Sequence, residues 1–122
     1  MTIARIFNQT KATELAARAR IADRFFPRMW GLLGRSGLAA GEGLVIVPCK
    51  SVHAAFMRFP LDVIFLDRQG VVRHQMVLRP WRFSPIVPSA HIVLELPSGV
   101  IAAARTAVGD MVRIEPEAPD ET

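Results

Sequence analysis

The sequence predicts an α+β, mainly β fold: a small barrel-like antiparallel sheet with two short helices. Three observations carry that expectation. From Gly31 onward, Pro and Gly recur about every ten residues. Between them lie short apolar runs, of which Leu44–Val47 and Val63–Leu66 are the longest strongly apolar ones. Most successive runs are joined by segments short enough to be tight turns, which favours antiparallel pairing. With 51% hydrophobic and 21% charged residues over 122 positions, the chain can bury one core and is not expected to be disordered. Residues 1–115 are expected to form one globular domain, followed by a disordered acidic tail over 116–122.

The elements follow in order. Residues 10–22 allow two readings. Thr13–Asp23 is rich in helix formers, yet Leu15, Ala17, Ala19 and Ile21 alternate as in a strand. Pro27 suits the first turn of a short helix over Arg28–Leu33, with Gly34 ending it. Ser36–Gly43 is a glycine-rich loop, and Leu44–Val47 a short buried strand stopped by Pro48. His53–Arg58 can extend until Pro60 breaks it. Leu61–Leu66 and Val71–Leu78 flank the turn Asp67-Arg68-Gln69-Gly70 and read as a hairpin. Arg79–Pro88 contains three prolines and must be irregular. His91–Leu96 is a strand, Val100–Arg105 a short helix with Ser98 as its candidate cap, and Met111–Glu115 the last strand.

Composition narrows the functional classes. Cys49 is the single cysteine, so no disulfide forms within the chain, and a cytoplasmic location is expected. The N-terminus has no sustained apolar stretch like that of a signal peptide, and no apolar run approaches a membrane span, so no membrane partner is expected. The net charge of +4 is uneven: residues 1–40 carry +5, residues 41–109 carry +3 and residues 110–122 carry −4. Thirteen of the fifteen basic residues are Arg, but none adjoins another, so nucleic acid is not an expected partner.

Chemistry-bearing residues are densest between Pro48 and Asp62, where Cys49, Ser51, His53, Met57 and Asp62 fall within fourteen positions. On an extended segment His53, Ala55 and Met57 share a face. A pocket needs only convergent polar groups, so His53, Met57 and Asp62, with Arg58 and Cys49 nearby, could bind a small polar or anionic ligand. A hydrolase-type reading would make Cys49 the nucleophile, His53 its base and Asp62 the orienting acid. Cys49, His53 and Met57 could also hold a soft metal, but there is no paired-ligand spacing, and neither metal nor cofactor is expected. Structural roles compete with all three: Cys and Met fill cores, a strand-edge His bonds a carbonyl, and Asp62 could hold loop amides. If buried, Asp62 must be paired or hydrogen-bonded. In Arg79-Pro80-Trp81-Arg82-Phe83, Trp81, Arg82 and Phe83 are of the types that anchor interfaces, although a loop pinned to the core by its aromatics explains them as well. His74 and His91 lie on expected strands, and Glu95 reads as part of a solvated strand face.

These residues assemble into a family pattern. Pro27-Arg28, Gly31-Leu32-Leu33-Gly34-Arg35, Gly41-Glu42-Gly43-Leu44, Pro48-Cys49-Lys50-Ser51-Val52-His53 and Phe56–Asp67 occur in this order, and Val93–Gly99 and Val108-Gly109-Asp110 close it. The chain thereby resembles an uncharacterised prokaryotic family, domain of unknown function one-nine-two, over about residues 5–115. The resemblance implies a compact β-rich domain with short helices, favours a hairpin over residues 3–22, and implies no activity. Family segments matching Phe56–Asp67 often carry a Trp-Met-Lys-Asn-like run. Here the run is Phe56-Met57-Arg58-Phe59, so any contact made through that amide is lost at Phe59. Many relatives carry an export signal or lipid anchor, which this sequence does not show, and an envelope role is not carried over. The leading expectation is a non-catalytic binding domain for a small polar or anionic ligand around His53, Met57 and Asp62. The alternatives are the hydrolase-type enzyme and a protein-interaction module through the Trp81/Phe83 loop.

Overall fold

A computed structural model describes residues 2–22, 37–54 and 58–117. Thr13–Ala22 is a strand despite its helix-forming composition. β1 (Thr2–Asn8) and β2 (Thr13–Ala22) form an antiparallel hairpin, and β3 (Glu42–Ile46) runs parallel to β2 on its other side. Pairing on both edges outweighs the intrinsic preference of Ala and Arg for helix. A register shift between Ile6 and Phe7, opposite Leu15, places Leu15 and Ala16, adjacent in sequence, both in the core. The strict alternation through Ala17 and Ile21 is therefore not the buried set, which is Leu15, Ala16, Ala19 and Ala22.

β4 (Leu61–Leu66), β5 (Val72–Leu78), β6 (Ile92–Pro97) and β7 (Val112–Pro116) complete a sheet of order β5-β4-β6-β3-β2-β1-β7. Every pairing but β2–β3 is antiparallel. β7 passes the expected end of the ordered chain: Pro116 pairs with Ala4, and the Glu117 amide donates to the Ile3 carbonyl at 2.8 Å. The sheet curls until its two edge strands meet at one end. There Val72 donates to Asp110 at 2.9 Å, Gly109 to Val72 at 2.8 Å and Val112 to Gly70 at 2.9 Å. This junction covers strand edges that would otherwise offer a pairing template.

Two apolar cores result. The inner one draws on every strand, with Ile6, Leu15, Val45, Ile64, Val72, Leu94 and Val112. The outer one lies on the opposite face of β3, β6, β4 and β5, with Leu44, Ile46, Leu61, Val63, Phe65, Leu78 and Val93. β4 separates the two and is buried along its whole length. At roughly 2 kcal/mol for each fully buried Leu, Ile or Phe, it is the most stabilised strand of the sheet. Glu95, expected on a solvated face, is instead buried, because its register partners Leu44 and Val63 belong to the outer core.

The outer core is roofed by an irregular ribbon. Residues 49–54 run antiparallel to residues 81–91, tied by Trp81 N to Ala54 O (2.8 Å), Ser84 N to Val52 O (2.8 Å), Val87 N to Lys50 O (2.8 Å) and Cys49 N to His91 O (2.9 Å). Val52 and Ala54 point down into the outer core, and His53 pairs with Phe83.

Among the described residues there is one helix, α1 (Val100–Ala103). The other expected helix, over 28–33, lies outside the described residues. Ser98 does not cap α1. Asp62 of β4 does, its carboxylate accepting from Gly99 N at 3.1 Å and Ile101 N at 2.9 Å. Asp62→Ala is therefore expected to cost about 1–2 kcal/mol, and the exposed Ser98→Ala less than about 0.5 kcal/mol, in urea unfolding.

Candidate ligand-binding cleft

The residues expected to form one site are distributed over two sides of the sheet. Asp62 faces the inner side and is occupied by the α1 amides. His53 lies on the outer ribbon, its ring 5.9 Å from that of Phe83. Cys49 is buried in the outer core, its thiol donating to the Ser51 carbonyl at 3.0 Å. The grouping of His53 with Asp62 fails because Pro60 turns the chain from the ribbon into β4, where Asp62 points away from the ribbon. Cys49, His53 and Asp62 accordingly make no nucleophile–base–acid line. Met57 lies outside the described residues, and Arg58 is exposed. Trp81, Arg82 and Phe83 are exposed on the ribbon rather than pinned in the core. His74 packs against Phe65, with ring centroids 5.4 Å apart.

A different set of side chains does converge. Where the ribbon meets the β4–β5 turn, a cleft of about 370 Å³ is lined by Cys49, Lys50, Asp67, Arg68, Arg73 and His91, among others. Its size lies within the range of small-molecule sites. The turn is built by Asp67. One carboxylate oxygen accepts from Gln69 N at 2.9 Å and Val71 N at 3.0 Å; the other accepts from Arg73 Nε at 2.8 Å. Burial pushes the Asp67 carboxyl up, but the Val71 and Gln69 amides and the Arg73 guanidinium outweigh it and hold the group below the usual carboxylate range. Asp67 is thus ionised and its charge is offset by Arg73.

The opposite wall is held by Lys50, whose ammonium donates to Pro88 O at 2.5 Å and Ala90 O at 2.9 Å. Those bonds fix the ammonium at the cleft mouth without neutralising it, since carbonyls carry no net charge. Arg68 is exposed at the rim. Lys50, Arg68 and Arg73 against Asp67 leave a positive excess, and His91 adds a ring nitrogen donor. The arrangement can receive a small anion through charge-assisted hydrogen bonds. Among the described residues no group of three His, Cys, Asp or Glu side chains is disposed to hold a metal ion.

Sequence reasoning reached Cys49 but missed the rest of this wall. Lys50, Asp67, Arg73 and His91 are scattered along the chain; the β4–β5 hairpin joins Asp67 to Arg73, and the ribbon brings Lys50 and His91 to them. The one local signal was Asp67, which opens a tight turn with an Arg six residues on.

Residues 6–114 match the family DUF192, described as "Uncharacterized ACR". A UPF0127 protein of Pyrococcus furiosus is 36% identical over 110 residues, covering 86% of this chain and 93% of its own. A UPF0127 protein of Pyrococcus abyssi is 34% identical over 113 residues, covering 88% and 94%. Among solved structures, a protein of unknown function from Novosphingobium aromaticivorans superposes with a TM-score of 0.73 at 21% identity, covering 91% of this chain and 83% of that one. That likeness supports the curled-sheet fold.

Proposed function

The chain belongs to the DUF192 family, and on that footing we propose a non-catalytic binding domain whose ligand is a small anion seated in the Lys50–Asp67–Arg73–His91 cleft. The observation that carries the reading is the charge of the cleft: three cationic side chains surround one carboxylate that is already satisfied. The dispersal of Cys49, His53 and Asp62 favours binding over hydrolysis. Lone Cys49 suits a reducing compartment, and a cytoplasmic setting is part of the same proposal.

Arg68 offers the cleanest test, since it is exposed at the rim and its replacement leaves the Asp67 turn intact. Inorganic phosphate and citrate are titrated calorimetrically into the wild type, Arg68→Glu and Arg68→Lys. Arg68→Glu is expected to weaken binding about tenfold, equivalent to about 1.4 kcal/mol, and Arg68→Lys to restore most of it. Arg58→Glu, an equal charge change away from the cleft, is expected to leave affinity within about twofold. Equal losses from Arg58→Glu and Arg68→Glu would mean that the anions sense only net charge, and the cleft reading would fall.

A further inference from the structure

The ribbon has a second property, independent of the cleft. The described residues of its two segments and their flanks, 48–54, 58–60 and 79–91, contain four Lys/Arg and no Asp/Glu. The chain has fifteen basic and eleven acidic residues, so everything outside these segments is balanced, eleven against eleven. Arg58, Arg79 and Arg82 are all exposed. On the same stretch Trp81, Phe83 and Ile86 are 61%, 74% and 72% exposed, the three largest exposures among the big apolar side chains described.

The core below is closed without those side chains. Val52, Ala54 and Ala90 already seal the core below, and Ser84, between Phe83 and Pro85, turns inward to accept from Val52 N at 2.9 Å and donate to Pro85 O at 2.9 Å. Exposed apolar groups interleaved with arginines suit an occupant that offers an apolar interior beneath an anionic surface. Base stacking would use Trp81 and Phe83 but gives the aliphatic Ile86 nothing to do. A lipid surface uses all three, with the arginines held at the headgroup level.

We infer that the ribbon face is a docking surface for an anionic lipid bilayer, with Trp81, Phe83 and Ile86 entering the interface and Arg58, Arg79 and Arg82 engaging the headgroups. The contact is peripheral: no helix among the described residues is long and apolar enough to cross a membrane, and none is required. Adsorption depends on both parts, since apolar insertion gives depth and each arginine near a charged surface adds roughly fivefold in partitioning. Binding therefore weakens as salt rises.

Flotation of the full chain tests this with vesicles of phosphatidylcholine alone and of phosphatidylcholine with phosphatidylglycerol. Binding is expected to the anionic vesicles only. It should fall at least tenfold in Phe83→Ser/Ile86→Ser and in Arg79→Gln/Arg82→Gln, with urea unfolding unchanged because these positions are exposed. In a Trp30→Phe background, Trp81 emission should shift to shorter wavelength on anionic vesicles. Absence of binding to either vesicle overturns the inference, as does equal binding to both. A single-stranded oligonucleotide that quenches Trp81 where vesicles leave it unchanged reassigns the face to nucleic acid. Self-association that Phe83→Ser/Ile86→Ser abolishes, without vesicle binding, reassigns it to a contact between copies.

Discussion

Gly70→Ala is expected to destabilise the protein by about 3 kcal/mol, more than any other single glycine change in the sheet. Gly70 has φ +87°, in the left-handed region, and a Cβ there would lie 2.6 Å from the Val112 carbonyl oxygen. That oxygen is backbone and cannot swing aside. It belongs to the junction where Val112 N donates to Gly70 O and the sheet edges meet. Accommodating a methyl group means pushing β7 away from the β4–β5 turn, which would open the barrel at its closed end. Gly109→Ala supplies the control. Its φ of +96° is equally left-handed, but nothing lies within 4 Å of the added Cβ, so only the backbone cost of about 1 kcal/mol applies. Urea unfolding of both variants separates steric closure from conformational strain. Equal losses would show that the junction tolerates displacement.

Asp110→Ala should be comparably damaging, at about 3 kcal/mol, and its cost should depend on pH. Asp110 Oδ2 accepts from Asn8 Nδ2 at 2.9 Å, Lys11 Nζ at 2.8 Å and Ala107 N at 3.0 Å. Asn8 is fully buried and also donates to Thr106 Oγ1 at 3.0 Å, so the carboxylate ties the β1–β2 turn to the entry of β7. Removing it strands a buried amide and an ammonium. The side-chain bonds from Asn8 and Lys11 outweigh burial and hold the Asp110 carboxyl down to about 2, from an ordinary 3.8. A carboxyl depressed on folding contributes stability above its unfolded value and loses it as pH falls through the folded one. The wild type should therefore lose about 2 kcal/mol between pH 4 and pH 2 from this group, with Asp67 adding in the same direction. Unfolding free energies of wild type and Asp110→Ala should converge over that interval; a gap that stays constant would mean that the ion pair is not its source.

The fold was more legible in the sequence than the site, for physical reasons. Punctuation by Pro and Gly and runs such as Leu61–Leu66 mark strands whatever their partners, so the β4–β5 hairpin and the approximate limits of β6 and β7 follow locally. The first hairpin is harder. Its bulge breaks the alternation that identifies a strand, and its Ala and Arg content favours helix until two neighbours pair with it. The parallel crossover from β2 to β3 has no local signature. Glu95 was misjudged because a polar residue between leucines looks solvated until β3 and β4 are known to flank it.

Asp62 parts from Cys49 and His53 for one reason: closeness along the chain does not fix closeness in space. His53 and Asp62 are nine positions apart, yet a ribbon residue and a β4 residue divided by Pro60 face different sides. The side chains that line the cleft with Cys49 come from the β4–β5 turn and from the return leg of the ribbon, far from it in sequence. Trp81 and Phe83 were legible as interface types, but their exposure depended on Val52, Ala54 and Ala90 filling the core in their place.

The central claim, an anion in the ribbon–turn cleft, is tested most directly by nitrogen–proton correlation spectra recorded during titration with inorganic phosphate and citrate. Saturable shifts are expected at the amides of Cys49, Lys50, Arg68, Gln69, Ser89 and His91, with His53 and the Gly99 and Ile101 amides at Asp62 unmoved. Shifts centred on His53 or on the start of α1, or none at millimolar anion, would contradict it.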